Sequence, residues 1–339
     1  MFNFGRGKDY REYRRLGKSG LFVSEIQLGN WITHGAQVDD TTAKACVHAA
    51  LDAGITTFDT ADVYSETRAE SILGESLKGI RRESIELCTK VFHPIGTGKN
   101  DRGLSRKHIM EACHSSLRRL QTDYIDVYHA HRFDPSTSLE ETFFAFSDLI
   151  RQGKVLYVGV SEWTAEQIRL GAALAKEYRV PFVASQPQYS MLWRVIEAEV
   201  IPACEREGIG QIVWSPLAQG ILSGKYTPDK PIPEGSRAAS TAGSPFFDKL
   251  VGQWLQKEVL QVIERIKPIA QEAGLTLPQL AVAWVLQNHH VSSAIIGASN
   301  PEQIKENVKA AGVKLDTQVM QQINHLLADV AEFDPKKTG

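Results

Sequence analysis

The sequence predicts an α/β fold, a (β/α)8 TIM barrel with an N-terminal β-hairpin and additional C-terminal helices, on the strength of three observations. Short apolar or β-branched runs alternate with stretches of helical periodicity along nearly the whole chain. This alternation indicates parallel strands, because parallel neighbours need a crossover connection. Eight such units follow one another, the number of strands that closes a barrel, and the glycine-rich first turn typical of a doubly wound sheet is missing.

The chain begins with a predicted hairpin, whose strands at residues 12–16 and 21–26 flank the turn sequence Gly-Lys-Ser-Gly. We expect this hairpin to close one end of the barrel. The predicted barrel strands are short and rich in apolar and β-branched residues. They lie at residues 24–29, 55–59, 84–90, 124–130, 155–160, 182–186, 210–214 and 292–297.

The predicted helices are recognised by apolar residues at 3.6-residue spacing and by their end signals. Ser105 and Ser138 are good N-caps, and Glu141, three residues after Ser138, predicts a capping box. Three glycines follow helical runs, where a residue with positive φ ends a helix at little cost: Gly54, Gly153 and Gly274. The helices are predicted at residues 41–53, 70–78, 105–120, 139–152, 165–178, 195–207 and 259–273.

Three further segments depart from the repeat. Residues 227–247 are rich in proline, glycine, serine and alanine and predict a flexible loop. Residues 277–288 predict an extra helix before the eighth strand, and residues 316–329 predict a last helix after it. No domain boundary is visible, so residues 1–339 are predicted to form a single domain.

Composition excludes several classes of protein. The 339 residues carry 38 lysines and arginines against 40 aspartates and glutamates, a formal net charge of −2. The hydrophobic fraction of 42% and the charged fraction of 23% are ordinary for a globular protein and exclude wholesale disorder. A general nucleic-acid binder needs an excess of basic residues, so we expect no nucleic-acid partner.

Cysteine usage and the apolar runs bear on the compartment. The four cysteines are far apart and form no CxxC pair, so we expect free thiols in a reducing compartment, the cytoplasm. Residues 1–20 hold several lysines and arginines and no apolar segment, which predicts no signal peptide. The longest purely apolar run, residues 280–286, is far shorter than the ~20 residues of a membrane span, so we expect no membrane insertion.

Two apparent ligand motifs fail on inspection. The Gly-Lys-Ser sequence at residues 17–19 lacks the earlier glycine of a phosphate-binding loop, since Glu12 stands in its place. His289 and His290 are adjacent, and two adjacent histidines of a helix cannot face one metal ion. We therefore expect no metal site.

Four polar side chains are predicted to meet at the C-terminal ends of the second, third and fourth strands, where barrel enzymes carry their chemistry. Asp59 ends the second strand, and Tyr64 lies just beyond it. Lys90 ends the third strand, and His131 follows the fourth. These four residues are called the tetrad below. Taken singly, each is more often structural, but their convergence on one barrel mouth favours a catalytic site.

The tetrad predicts acid–base chemistry on a carbonyl group. A buried lysine is costly to leave unpaired, and Asp59 can pair with Lys90. An ammonium beside a phenol is expected to lower the pKa of Tyr64 by ~2–3 units, which needs about 3–4 kcal/mol of differential interaction. Such a tyrosine can protonate a carbonyl oxygen, or deprotonate an alcohol in reverse, while His131 orients that oxygen.

The sequence around these residues resembles the aldo-keto reductase superfamily. The segments that carry the resemblance are FDTADVY at 58–64, TK at 89–90 and DVYHAHR at 126–132. Further similar segments lie at residues 14–21, 103–108, 214–220, 297–300 and 302–307. The branch that the chain resembles contains bacterial aldo/keto reductases and the β-subunits of voltage-gated potassium channels.

The resemblance implies NADPH-dependent reduction of aldehydes or ketones to alcohols, with NADPH preferred over NADH. Tyr64 would be the general acid, tuned by Lys90 and Asp59, with His131 positioning the carbonyl. Ser161 and Gln186 would hold the nicotinamide carboxamide, while other positions would line a cofactor trough and bind the phosphates and adenosine. The implied cofactor contacts are Trp31, Gln37, Asp59, Ser161, Glu162, Gln186, Trp214, Ser215, Pro216, Leu217, Ala218, Gln219, Lys225, Arg237, Gly297, Ser299, Gln303, Glu306 and Asn307.

Large aromatic residues near the predicted strand ends are candidates for an apolar substrate pocket, although such residues also serve simple packing. These candidates are Trp31, Phe92, Trp163 and Trp193. The expected partner is a small-molecule carbonyl substrate. The resemblance also implies that the chain could form a homo-oligomer, because relatives in this branch include tetramers and octamers.

Two other functions stay open. The chain could be a cofactor-binding regulatory protein with low turnover, as the likeness to channel β-subunits implies, although those subunits tend to have asparagine where this chain has His131. Lys90 could instead form a Schiff base, as strand-end lysines do in other barrels. Pairing with Asp59 would keep that amine protonated and poorly nucleophilic, which disfavours the second function.

Overall fold

The computed structural model describes residues 12–240 and 243–339. Residues 1–11, part of the segment predicted to hold no signal peptide, lie outside the described residues. Residues 241–242, part of the predicted loop, lie outside them as well. Within the described ranges, no helix combines the length and the apolarity that crossing a bilayer requires.

The N-terminal hairpin consists of two antiparallel strands, β1 (Tyr13–Arg15) and β2 (Phe22–Ser24). Leu16 and Val23, on either side of its turn, are fully buried and pack among residues from the interior of the barrel. The prediction that the hairpin closes one end of the barrel is confirmed.

Eight parallel strands close the barrel, in chain order around the ring, and the last strand pairs with the first. The strands are β3 (Ile26–Gly29), β4 (Thr57–Asp59), β5 (Glu86–Val91), β6 (Ile125–Ala130), β7 (Val155–Ser161), β8 (Phe182–Gln186), β9 (Gly210–Trp214) and β10 (Val291–Ile296). Alternate residues face opposite sides of each strand. On β6, for example, Tyr128 and Ala130 join the core beneath the helices, whereas Val127 belongs to the cluster inside the barrel. The predicted fold class is confirmed.

The helices pack outside the barrel and bury apolar faces against the strands. They are α1 (Asp40–Asp52), α2 (Arg68–Ser76), α3 (Arg106–Leu120), α4 (Leu139–Arg151), α5 (Ala165–Tyr178), α6 (Val200–Glu207), α7 (Arg237–Ser240), α8 (Pro245–Gly252), α9 (Lys257–Glu272), α10 (Leu277–Gln287), α11 (Pro301–Asn307) and α12 (Thr317–Leu327). Both predicted additional helices are present, as α10 and α12.

The predicted helix-end signals are confirmed except for the capping box. The Ser105 and Ser138 side chains accept the backbone N–H three residues on, at 3.2 Å in both cases. Glu141 does not complete the capping box, because its carboxylate accepts the backbone N–H of Arg106 at 2.8 Å and so links α4 to α3. The three glycines predicted to end helices all have positive φ, and they are Gly54, Gly153 and Gly274.

Two segments differ from the prediction. The predicted helix at residues 195–207 begins only at Val200, since the residues before it form a turn. The predicted loop at residues 227–247 contains α7 and the start of α8, where Pro245 occupies the first helical turn and presets its φ. Composition alone therefore hid two helices in this segment.

The paired histidines also differ from the prediction. His289 and His290 lie in the turn after α10, not in a helix, and their ring centroids are 3.9 Å apart. Nε2 of His290 is 3.2 Å from a carboxylate oxygen of Glu205, and donor atoms of all three residues lie within 4.8 Å of one another. Adjacent histidines in a turn can face one ion, so the prediction that these two cannot, which assumed a helix, is wrong.

All four cysteines are free, as predicted, and all are buried. Three lie in helices α1, α3 and α6 and one in strand β5, and burial raises the pKa of each thiol. They are Cys46, Cys113, Cys204 and Cys88.

Candidate active site

The tetrad meets at the C-terminal ends of neighbouring strands. Asp59 is the last residue of β4, Lys90 lies near the end of β5, and His131 follows β6 directly. Tyr64 lies in the turn after β4, where the next three residues, 65–67, all have positive φ although none is glycine. The backbone of this turn is thus strained just beyond Tyr64.

Lys90 is the centre of the hydrogen-bond network. Its Nζ donates to Oδ2 of Asp59 at 2.6 Å, to the carbonyl oxygen of Thr60 at 2.8 Å and to Oη of Tyr64 at 3.2 Å. An ammonium has three donors, so all of them are used. Burial by itself would lower the pKa of Lys90, but the charge of Asp59 and these hydrogen bonds leave it raised. Lys90 is therefore a fixed cation.

The pKa of Tyr64 moves in the direction opposite to the prediction. Burial of the phenol raises its pKa, and the charge of Lys90 opposes this effect without reversing it. The predicted lowering is therefore wrong, because it weighed the cation and not the loss of water around a phenolate. At neutral pH Tyr64 is a protonated phenol, which is the form that can donate a proton.

His131 is a neutral imidazole at this site. Burial, and next to it the charges of Lys90 and Arg132, hold its pKa well below the usual range. Its ring lies edge-on to Tyr64 with centroids 5.7 Å apart and to His93 with centroids 4.7 Å apart. A neutral imidazole offers one N–H and one acceptor nitrogen.

Hydrogen bonds connect Asp59 of β4 to Gln186 of β8 and, through it, to Ser161 of β7. Gln186 donates from Nε2 to Oδ1 of Asp59 at 2.8 Å, so both carboxylate oxygens of Asp59 are engaged. Ser161 donates from Oγ to the backbone oxygen of Gln186, also at 2.8 Å. The predicted carboxamide pair, Ser161 and Gln186, is thus adjacent to the tetrad.

A second buried ion pair lies behind the site and was missed at the sequence level. Glu70 of α2 is fully buried, accepts a hydrogen bond from Thr89 at 2.5 Å and pairs with Arg119 of α3 at 2.6 Å. Because Thr89 precedes Lys90, this pair anchors the outer face of β5. The helical spacing of Glu70 gave no signal that it faces inward.

One cavity of about 830 Å³ opens at this end of the barrel and contains most of the implied cofactor positions. Three implied positions do not line it. Glu162 instead accepts from the backbone N–H of Gln188 at 2.6 Å and from Nε1 of Trp214 at 2.8 Å. Ala218 is fully buried in the core, and Glu306 pairs with Lys309. The implied positions that line the cavity are Trp31, Gln37, Asp59, Ser161, Gln186, Trp214, Ser215, Pro216, Leu217, Gln219, Lys225, Arg237, Gly297, Ser299, Gln303 and Asn307.

Only one of the four aromatic pocket candidates lines the cavity. Trp31 does so, but Trp163 is buried in the core against Phe133, and Trp193 lies edge-on to Trp254. Phe92 is partly buried and packs against the core. A position near a strand end does not fix the direction of a side chain, and the side chains of Phe92, Trp163 and Trp193 pack against the core and not into the cavity.

The cavity also has aromatic walls that sequence reasoning missed. Phe246 and Phe247 of α8 contact Trp31, with ring centroids 6.3 Å and 5.7 Å apart, and the indole of Trp214 meets Trp31 edge-on at 5.8 Å. Two adjacent phenylalanines in a segment otherwise rich in small polar residues were the available signal. His93 and Arg132, next to sequence-predicted residues, line the cavity too.

The barrel and its site define the chain as a member of the aldo/keto reductase family, whose family model matches residues 25–328. The resemblance inferred from the sequence is confirmed. The chain is 45% identical over 327 residues to a putative voltage-gated potassium channel subunit beta of Schizosaccharomyces pombe, covering 93% of each chain. It is 45% identical over 307 residues to a probable subunit beta of Arabidopsis thaliana, covering 89% of this chain and 92% of the relative. It is 41% identical over 333 residues to one of Oryza sativa subsp. japonica, covering 96% and 98%.

Proposed function

We propose that the chain reduces aldehydes or ketones to alcohols with NADPH. The observation that carries the proposal is the hydrogen bond from a fixed ammonium, Lys90, to a protonated phenol, Tyr64, at the edge of a large cavity. Membership of the aldo/keto reductase family supports the same reaction class.

The residues of the cavity fit a nicotinamide dinucleotide. Two cations, Lys225 and Arg237, line it on one side and suit phosphate groups. Gln186 uses its amide nitrogen on Asp59, and its amide oxygen has no hydrogen-bond donor among the described residues, so it can accept from a carboxamide. Cationic side chains and an amide acceptor in one cavity supply the hydrogen-bond donors and the acceptor that such a cofactor needs.

The chain's own groups would move the proton and hold the substrate. NADPH, when bound, supplies the two electrons and the hydrogen that the carbonyl carbon gains. Tyr64 gives its proton to the carbonyl oxygen as the C=O π bond breaks, and the phenol regains a proton from solvent. Because Lys90 donates to Oη of Tyr64, the phenolic O–H is left to point at the substrate. His131 donates its one N–H to the same oxygen and fixes its position.

The test is steady-state oxidation of NADPH by the purified chain with nitrobenzaldehyde, methylglyoxal and glyceraldehyde, followed by the absorbance of NADPH. We expect turnover with at least one of them, and a lower KM for NADPH than for NADH. Failure of every carbonyl to oxidise bound NADPH would refute the proposal.

The names of the relatives favour a second candidate, a cofactor-binding regulatory protein with low turnover. A single-turnover experiment separates the two. NADPH-loaded protein that stays reduced after mixing with each aldehyde favours the regulatory function, whereas rapid oxidation favours the reductase.

The proposal also covers the location and the oligomeric state of the chain. We propose a cytoplasmic location, supported by four thiols that are all unpaired. We also propose that the chain forms a homo-oligomer, as the family resemblance implies. Light scattering of the purified chain tests this proposal.

A further inference from the structure

Arg132 is the cationic residue of the cavity that the proposed reaction does not use. It follows His131 at the end of β6 and lines the cavity together with Tyr64 and His93. In the closed ring of strands, β6 lies across from β10, which leads into the adenosine positions Ser299 and Gln303. Arg132 is therefore on the side from which a carbonyl compound reaches Tyr64.

The guanidinium of Arg132 has no carboxylate partner within the described part of the chain. Its Nη1 donates to the backbone oxygen of His131 at 2.6 Å, which uses one of five N–H donors. Two carboxylates near this mouth accept hydrogen bonds from other groups, although the charge of Arg132 also opposes the rise in the pKa of one of them, Glu162. Asp59 accepts from Lys90 and Gln186, and Glu162 accepts from Trp214 and a backbone N–H.

The positive charge of Arg132 acts on the reacting groups. It lowers the pKa of His131 and His93, and it opposes the rise in the pKa of Tyr64. A guanidinium that lines the same cavity as the proton donor, and that keeps free donors, is placed to bind a group attached to the carbonyl.

We propose that Arg132 binds an anionic group of the substrate, so that the preferred substrates are aldehydes or ketones bearing a carboxylate or a phosphate. The inference rests on the proposed reductase function and names its substrate class. The planar fork of a guanidinium matches both anions through paired hydrogen bonds, which a point-like ammonium cannot reproduce. Binding at Arg132 would hold the carbonyl end of the molecule at Tyr64 and His131.

The first test compares pairs of aldehydes of which one member carries the anionic group and the other is neutral. One pair is 4-carboxybenzaldehyde and its neutral methyl ester, methyl 4-formylbenzoate. The other is glycolaldehyde phosphate and glycolaldehyde, which separates a phosphate from a carboxylate preference. We expect kcat/KM to be about 10- to 100-fold higher for at least one anionic member, as a charge-assisted hydrogen bond implies. Equal or lower values for both anions, with the neutral aldehydes still reduced, would overturn the inference and leave the reductase proposal intact.

The second test assigns the preference to Arg132 and not to the nearby cation Lys90. In Arg132→Met the anionic-to-neutral ratio of kcat/KM should fall to about one, mainly through KM, because the contact exists before the reaction as well as during it. Arg132→Lys should keep part of the preference. Arg102→Met removes the same charge from an exposed position away from the cavity and should keep all of it. A preference that survives in Arg132→Met contradicts the inference.

A third measurement does not depend on turnover. The alcohol product 4-(hydroxymethyl)benzoate should bind the NADPH-loaded chain at least about tenfold more tightly than the neutral methyl 4-(hydroxymethyl)benzoate, measured by calorimetry. Arg132→Met should abolish that difference. If no aldehyde is reduced but this difference appears, the reductase proposal fails and the anion site stands; equal affinities overturn the anion site.

Discussion

Replacing Tyr64 with phenylalanine tests the assignment of the proton donor most directly. The change removes the hydroxyl and keeps the ring, which lies 6.4 Å from that of Trp31. A positioned general acid contributes about 10²- to 10⁴-fold to a rate, equivalent to ~3–5 kcal/mol of transition-state stabilisation. We therefore expect kcat for aldehyde reduction to fall by at least about a hundredfold in Tyr64→Phe.

The structure predicts that the same change costs little stability. Lys90 loses only its longest hydrogen bond, at 3.2 Å, and keeps Asp59 at 2.6 Å and the carbonyl oxygen of Thr60 at 2.8 Å. An ordinary hydrogen bond contributes about 1 kcal/mol to stability, and Tyr64 faces a solvent-accessible cavity, so about 1 kcal/mol is the upper expectation. NADPH affinity should stay nearly unchanged.

The assay combines steady-state reduction of nitrobenzaldehyde, fluorescence titration with NADPH and thermal unfolding. Tyr13→Phe, a partly exposed tyrosine of the hairpin, is the matched control and should change none of the three. A kcat within about tenfold of the parent, in a Tyr64→Phe variant that folds and binds NADPH, would refute Tyr64 as the proton donor.

Three further predictions concern the pH dependence of the reaction, the binding of NADPH and the stability of the barrel. Because burial raises the pKa of Tyr64, the phenol stays protonated through neutral pH; the reduction rate should show no loss from phenol ionisation between roughly pH 6 and 9, while alcohol oxidation, which needs the phenolate, should rise with pH over that range. Glu162→Gln keeps the size of the side chain but weakens its charge-assisted hydrogen bond from the indole N–H of Trp214, a residue of the cavity wall. Fluorescence titration should show that NADPH binding is weakened severalfold, while kcat stays nearly unchanged. Gly159→Ala places a methyl group 2.4 Å from the ring of His129 and should lower the free energy of unfolding by about 1–3 kcal/mol in urea, whereas Gly252→Ala, with open space around it, should not.

The strand ends were the part of the site that could be predicted from the sequence. Asp59, Lys90 and His131 end or follow strands, and parallel strands of one barrel bring their C-terminal ends together whatever the helices do. Backbone topology alone thus places these residues in one group, and the structure confirms that they meet.

Side-chain direction and energetic balance could not be predicted in the same way. Trp163 and Glu162 follow a strand end as well, yet one turns into the core and the other toward Trp214. The pKa of Tyr64 depends on two opposed effects, burial and the charge of Lys90, and a sequence gives no measure of either. Phe247 reaches the site from far along the chain, through a helix that composition presented as a loop.

The placement of the four thiols has a consequence for a protein that handles electrophiles. Each cysteine is at most 1% exposed, and burial keeps each sulfur in its protonated, weakly nucleophilic form. Reactive aldehydes and unsaturated ketones inactivate many proteins by alkylating accessible thiolates. This barrel offers them no accessible thiolate in its folded state, so we expect its cysteines to stay unmodified in the presence of such electrophiles until the chain unfolds.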